Sequence, residues 1–123
     1  MDITRVAPLS SISVALRVKE KGLRYMKLWI DDVRPAPEEY MWFKSVNLVK
    51  EYIGDIERVY GVELIDIDHD AGDYACDGGD YIKLLDWLEE TGRNYPIRIH
   101  SMNPVGAANM RAIIERNGWT EVK

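Results

Sequence analysis

Three apolar runs in this chain each end in a cluster of polar residues. The runs end at Ile30, Ile67 and Ile99, and each is followed directly by aspartate or histidine. Short unbroken apolar runs are typical of strands that are buried on both faces of a parallel sheet. Because parallel strands end at the same edge of a sheet, the pattern predicts that these polar residues meet at one rim.

Apolar residues at helical spacing fill the segments between these runs. Pro35 and Pro37 forbid a regular helix directly after the first run, so that segment is predicted to be a loop. The predicted elements are a strand at 27–32, a loop at 33–40, a strand at 41–44, a helix after Ser45, a strand at 62–67, a polar loop at 71–79, a helix at 80–91, a strand at 97–101, a helix at 106–118 and a short strand at 119–123. The alternation predicts a single α/β domain with a parallel sheet between helical layers, a three-layer arrangement.

The N-terminal residues differ in character from the remainder. The compact α/β domain is predicted to comprise residues 26–123, with residues 1–25 as an N-terminal extension. Apolar residues alternate with polar ones over residues 10–18, which is the spacing of a strand with one apolar face. The extension is therefore either an edge strand or a disordered segment, and the sequence leaves both readings open.

Composition narrows the class of protein. A chain of 123 residues is long enough for one domain with its own core, and its single cysteine, Cys76, cannot form an internal disulfide. The lone cysteine and the lack of a signal peptide or membrane-spanning apolar run favour the reducing cytoplasm. A net charge of −5 disfavours binding to duplex DNA, but it does not exclude a small phosphorylated ligand or one RNA end held in a local site.

Four aspartates follow two of the predicted strands: Asp31, Asp32, Asp68 and Asp70. Two carboxylates about 4 Å apart repel by roughly 4 kcal/mol at an effective dielectric constant near 20. Such a cluster needs a cation, a basic partner or a bound proton, and we expect a divalent cation, Mg²⁺ or Mn²⁺. In the alternative reading, some of these side chains cap loops or face solvent. Asp66 interrupts an apolar strand, and the sequence reveals no role for it.

The only two histidines, His69 and His100, both directly follow predicted strands. Histidine transfers protons near neutral pH, so we predict that these residues act as acid and base, together with the carboxylates of Asp32 and Asp68. Asp32 or Asp70 is a candidate to orient an imidazole. The alternative reading is that the histidines only donate structural hydrogen bonds.

A predicted helix starts shortly after the last of these strands, and its N-terminus offers free backbone N–H groups to a phosphate. Ser101, Asn103 and Asn109 could add donors there, and Arg34 could add a guanidinium. The competing interpretation is an ordinary capping turn, with Arg34 paired to a neighbouring aspartate.

Three stretches resemble the cyclic-phosphate processing receiver-like domains: LWIDDVRPAP at residues 28–37, DHD at 68–70 and HSMNPVGAANM at 100–110. The likeness extends over about residues 26–118. It implies a receiver or flavodoxin-like fold, in which the helix after the first core strand is reduced to the proline loop. It also implies a phosphoesterase-like hydrolase acting on the cyclic phosphate of a nucleotide or RNA end.

Ordinary signalling receivers match the chain only in part. Their acidic pair corresponds to Asp31 and Asp32, their phosphoacceptor to Asp68 and their hydroxyl to Ser101, while Lys123 is the only candidate for their lysine. Two further hypotheses are therefore kept: a signalling receiver phosphorylated on Asp68, and a non-catalytic module that binds a phosphorylated ligand. The enzyme needs the histidines, whereas the signalling receiver needs the lysine.

Overall fold

A parallel sheet forms the centre of the structure, a computed structural model that describes residues 25–57 and 60–123. Its strands lie in the order β2-β1-β3-β4 and all pair in parallel. The elements are β1 (Tyr25–Ile30), β2 (Tyr40–Phe43), α1 (Val46–Ile56), β3 (Gly61–Ile67), a 3₁₀ helix (Gly72–Cys76), α2 (Ile82–Glu90), β4 (Ile97–Ile99) and α3 (Pro104–Asn117).

The C-terminal residues add a rudimentary fifth strand beside β4. Ile97 and Glu121 form a parallel bridge, in which the amide of Ile97 donates to Thr120 O at 3.0 Å and the amide of Val122 donates to Ile97 O at 2.7 Å. With this segment the strand order becomes 2-1-3-4-5, which is the flavodoxin-like order of a doubly wound α/β fold. The predicted α/β class and receiver-like fold are confirmed.

The described helices form one layer. The connections β2–β3, β3–β4 and β4 to the fifth segment all cross the sheet in the same direction, so right-handed crossovers place α1, α2 and α3 on one face. The connection from β1 to β2 runs the opposite way, and a loop replaces its helix, as predicted from Pro35 and Pro37. Within residues 25–57 and 60–123, the second helical layer of a three-layer arrangement therefore has no member.

Because the described helices cover only one face of the sheet, buried and partly exposed side chains alternate along β1. Met26, Leu28 and Ile30 point to the helices and are buried, whereas Lys27 and Trp29 point to the other face and are partly exposed. The helix-covered face of the sheet therefore carries the core, and the opposite face can hold polar groups near the site.

Capping residues set the helix ends. Ser45 caps α1 by accepting a hydrogen bond from the amide of Leu48, as predicted. Helix α3 starts at Pro104, earlier than predicted, because the side chain of Asn103 accepts from the amide of Gly106 and so forms the cap. Gly118 ends α3 in the left-handed conformation with φ of 67°. Helix α1 extends to Ile56, beyond the predicted stripe, because Val46 and Ile56 also reach the core.

Residues 1–24 of the predicted N-terminal extension lie outside the described residues, and so does the predicted edge strand at residues 10–18. Tyr25 already belongs to β1. Among the helices of residues 25–57 and 60–123, none combines the length and the apolar character that crossing a membrane requires.

A chain shortened to residues 26–123 should fold cooperatively, because it lacks only the exposed first residue of β1, Tyr25, from the strands and helices of the described structure. Urea denaturation of the full and shortened chains measures this. A loss of several kcal/mol, or insolubility of the shortened chain, would contradict the predicted boundary and place the extension in the sheet or in an interface between copies.

Candidate active site at the carboxyl edge of the sheet

The strand ends that were predicted to meet do meet, at the point where the strand order reverses. The amide of Asp31 donates to Phe43 O at 3.2 Å, that of Asp68 to Ile30 O at 2.9 Å and that of His100 to Ile67 O at 2.9 Å. The sheet hydrogen bonding thus continues through the first residue after β1, β3 and β4. A rigid backbone therefore presents all three side chains at the site where doubly wound folds bind ligands.

Three of the four predicted aspartates form a single group. One carboxylate oxygen from each of Asp31, Asp32 and Asp68 lies within 4.8 Å of the others. Asp70 is not a member of this group. Its carboxylate instead contacts His69 and Asn103.

Asp31 is fully buried and acts as an acceptor for the loop that follows it. Its Oδ1 accepts from the amides of Val33 at 2.9 Å and Arg34 at 2.8 Å. Its Oδ2 contacts Nε2 of His100 at 2.9 Å and Nε of Arg34 at 3.1 Å. Burial raises the pKa of Asp31, but hydrogen bonds from Arg34, Val33 and His100 outweigh it, so the pKa lies below the ordinary value and the carboxylate is ionised.

Asp32 has the opposite character. Burial, together with the charges of Asp31 and Asp68, raises its pKa above the ordinary value. Gly72 lies close to its Oδ2 with φ of 55°, so any side chain at position 72 would be strained and would collide with this carboxylate. Asp32 is therefore the member of the group whose charge is least compensated by the protein.

The donor set fits a hard divalent cation, with unequal parts for the three carboxylates. Asp31 has two contacts on each of its oxygens. Within the described residues Asp68 has only one on each, since Oδ1 accepts from the amide of His69 at 2.7 Å and Oδ2 accepts from Nη2 of Arg34 at 3.3 Å. Asp32 and Asp68 thus retain the most free acceptor capacity. One or two carboxylates completed by water and a phosphate are the usual ligands of Mg²⁺. The prediction of a cation remains a prediction, and these two residues are its best carboxylate ligands.

Arg34 links the acidic group to the end of β4. In addition to Asp31 and Asp68, its Nη2 donates to His100 O at 2.8 Å. The indole Nε1 of Trp29 in turn donates to the backbone oxygen of Arg34 at 2.8 Å. These contacts occupy Nε and Nη2. They leave Nη1 without a protein partner among residues 25–57 and 60–123, and the side chain is 42% exposed.

His69 is oriented by Asp70. Its Nδ1 lies 2.7 Å from Oδ1 of Asp70, and this hydrogen bond is the main reason that the pKa of Asp70 lies below its ordinary value. Asn103 Nδ2 donates to the same oxygen at 3.3 Å. The ring packs directly on Gly106 in the first turn of α3, leaving no room for a side chain there. The Asp70 contact occupies Nδ1 and leaves Nε2 available to a substrate.

Both ring nitrogens of His100 face carboxylates. Nδ1 lies 2.6 Å from Oδ1 of Asp66, in addition to the contact of Nε2 with Asp31, and the ring stacks on Trp29 with centroids 3.9 Å apart. Asp66 is 1% exposed, and it is the site residue that sequence reasoning left without a role. Its position two residues before Asp68 on the same strand was the available signal, because residues two apart in a strand share a face.

The remaining predicted residues lie at or beyond the edges of this site. Ser101 Oγ accepts from the amide of Asn103 at 3.0 Å, and Asn103 caps α3, so both take part in the capping turn. Asn109 is exposed on α3. The ammonium of Lys123 pairs with Glu121 at 3.1 Å and its side chain is 80% exposed.

Strand order 2-1-3-4-5 with an acidic group at the switch point defines a receiver-like α/β domain. A family model described as "Cyclic-phosphate processing Receiver domain" matches residues 26–116. The chain belongs to this family. No curated protein and no solved structure matches it at a significant level.

Replacing Gly106 by alanine should displace the imidazole of His69, because the new Cβ would overlap the ring. Binding of a phosphorylated ligand near His69 should weaken, whereas helix propensity alone would favour alanine by roughly 1 kcal/mol. Gly54→Ala is the matched control, since Gly54 is helical and exposed and has open space around it. Nitrogen NMR of the His69 ring checks the displacement, and an unchanged ring signal in Gly106→Ala would contradict it.

Asp32→Asn should raise the free energy of unfolding at neutral pH in the absence of a divalent cation. Because the folded pKa of Asp32 is raised, its contribution to stability is present below the unfolded pKa and is lost as the pH rises through the folded pKa. The advantage of asparagine should therefore appear above that value and vanish in acid. Urea denaturation across pH measures it, with the exposed Asp55→Asn as control.

Magnesium or manganese should stabilise the natural protein against urea and should lose this effect in Asp32→Asn, since the ligand would be gone. Equal stabilisation of both proteins would remove Asp32 from the proposed metal site.

Proposed function

We propose that this domain hydrolyses the cyclic phosphate of a nucleotide or an RNA end, with assistance from a divalent cation. The observation that carries the proposal is the pair formed by His69 and Asp70, beside an acidic group with its own arginine, in a chain of the cyclic-phosphate processing family. A phosphoesterase can use an oriented imidazole for proton transfer, together with neighbouring groups that bind a cation and a phosphate.

Arg34 is the proposed phosphate-binding side chain. Its Nη1 is available for a phosphoryl oxygen while Nε and Nη2 hold the guanidinium against Asp31, Asp68 and the backbone of His100. A guanidinium fixed at several points loses little freedom when a ligand binds. The N-terminus of α3, with Ser101 and Asn103 in its capping turn, adds positive potential beside His69, whose ring packs on Gly106. Asn109 remains a weaker candidate for contact with the rest of the substrate.

His69 is the proposed proton-transfer group. Asp70 accepts a hydrogen bond from Nδ1–H, which leaves Nε2 as the base that takes a proton from the attacking water. The water oxygen bonds to phosphorus while one phosphorus–oxygen bond of the ring breaks. The released sugar oxygen takes a proton from solvent and Nε2 of His69 returns its proton to solvent, so that the product is a phosphate monoester and the imidazole is neutral again. The single-imidazole scheme differs from the sequence interpretation, which gave His100 a second transfer.

A cation bound at Asp32 and Asp68 would supply positive charge to the phosphoryl oxygens. Asp31 would hold Arg34 in place rather than the metal, and Asp70 would serve His69. The four aspartates predicted as one metal site would thus divide into three roles.

The position of Lys123 argues against the signalling alternative. Phosphoryl transfer to Asp68 in an ordinary receiver would need a lysine near the acceptor, but Lys123 pairs with Glu121 and is largely exposed. Arg34 occupies Oδ2 of Asp68 instead. Non-catalytic binding of a phosphorylated ligand remains as an outcome of the test below.

Nucleoside 2′,3′-cyclic phosphates should be opened in the presence of magnesium, as followed by phosphorus NMR. His69→Gln should lower kcat by about 10²-fold or more, the usual contribution of a general base. Lys123→Met is the matched control, since it should leave hydrolysis unchanged and would matter only to a phosphorylated receiver.

Stable labelling of Asp68 by acetyl phosphate, with no hydrolysis of any cyclic phosphate, would overturn the enzyme in favour of a signalling receiver. Binding of a cyclic nucleotide without turnover or labelling would overturn it in favour of a binding module.

A further inference from the structure

His100 lies between two carboxylates that have almost no access to water. Asp66 Oδ1 is 2.6 Å from Nδ1 and Asp31 Oδ2 is 2.9 Å from Nε2, and the two aspartates are 1% and 0% exposed. An ionised carboxylate can only accept hydrogen bonds, so with both carboxylates ionised each of these contacts requires a proton on the ring nitrogen. The geometry therefore suits an imidazole that carries both protons and a positive charge.

The sheet register builds this arrangement. Trp29 on β1, Asp66 on β3 and Arg98 on β4 occupy adjacent positions in one row of the face that the described helices leave open. His100 follows Arg98 by two residues and so shares this face. Its ring stacks on Trp29 with an interplanar angle of 5°, and a flat cation on an indole face is a favourable contact.

The same atoms continue into the phosphate-binding group. Oδ2 of Asp31 contacts both Nε2 of His100 and Nε of Arg34, while Nη2 of Arg34 reaches the backbone oxygen of His100. Trp29 contributes twice, because its ring stacks on His100 and its Nε1 holds the backbone of Arg34. A movement of His100 must therefore be transmitted to Asp31 and Arg34.

We propose that His100 is a fixed cation of the framework rather than an acid or base, and that Asp66 is a positioning residue that acts through it. By holding His100 against Asp31, Asp66 aims the guanidinium of Arg34 at the phosphate. The catalytic consequence rests on the proposed function, whereas the state of the His100 ring does not. Arg98, at 3.8 Å from Asp66 and 50% exposed, adds positive charge on the outer side of the row.

The ring state can be measured on the full chain, since His69 and His100 are the only two histidines. Nitrogen NMR of the natural protein should show one ring with both nitrogens protonated and slowly exchanging ring protons. His69→Gln should leave that signal and so assign it to His100. A single protonated nitrogen on His100 in the natural protein would overturn the proposal, whether or not any cyclic phosphate is hydrolysed.

The kinetic test separates a positioning role from proton transfer. If Asp66 positions Arg34, Asp66→Asn should raise KM for a nucleoside 2′,3′-cyclic phosphate by about 10-fold or more and change kcat little. If His100 were the base, Asp66 would be its orienting carboxylate, and the same variant should lower kcat by about 10⁴-fold. That second pattern would overturn the proposal.

Two further variants complete the design. Glu63→Gln removes a carboxylate from the same strand, but one that is 51% exposed and paired with Lys27 at 3.6 Å, so KM should stay unchanged. Trp29→Phe keeps an aromatic face for His100 and should retain the doubly protonated ring more fully than Trp29→Leu.

If the natural protein shows no turnover, the proposed function fails. In that case, binding of inorganic phosphate replaces KM: weakening by Asp66→Asn supports the positioning role, and unchanged binding overturns it.

Discussion

The Asp31 carboxylate is shut off from solvent and lies beside four nitrogen atoms: two loop amides, the guanidinium of Arg34 and the imidazole of His100. An ionised carboxylate buried without partners costs several kcal/mol by a rough measure, so these contacts are what allow it to stay charged. They also determine the site. The two amides shape the turn after β1, and Arg34 lies against Asp68. The ring of His100 extends from the end of β4 over β3 toward β1. Removing any one donor would leave the others around an incompletely paired charge.

Loss of the helix after β1 makes this arrangement possible. A helix in that connection would have to pack on the face that holds Trp29, Asp66 and His100, and apolar side chains would then be needed there. The proline loop instead leaves this face to aromatic and charged groups. Trp42 belongs to the same pattern, since its indole Nε1 donates to the backbone oxygen of Asp31 at 2.7 Å. Where a helix of a second layer would lie, this face of the sheet therefore carries a polar network beside the acidic group.

The two histidines show how environment separates residues that look equivalent in the sequence. His69 has an exposed partner, Asp70, whose side chain is 60% exposed, and a glycine surface to pack on. His100 has two buried carboxylate partners and an indole face. The first arrangement leaves Nε2 for a substrate, and the second uses both nitrogens inside the protein. Under the two proposals, chemistry at this rim would therefore fall to one imidazole, and the other would contribute charge and position.

Local pattern was enough to predict the apolar runs that form the strands, the caps at Ser45 and Gly118, and the meeting of Asp31, Asp32 and Asp68, because periodicity and capping act over a few residues and parallel strands end together. The predicted strands 27–32 and 97–101 extended two residues past the observed ends at Ile30 and Ile99. Local pattern could not separate Asp70 from that group, since the direction of its side chain depends on His69 and on Asn103, 33 residues away. It could place Asp66 on the same face as Asp68 but could not identify its partner, because His100 is 34 residues away and directly follows the neighbouring strand β4. The order of strands and the direction of side chains decide which charge pairs with which, and only the tertiary structure contains both.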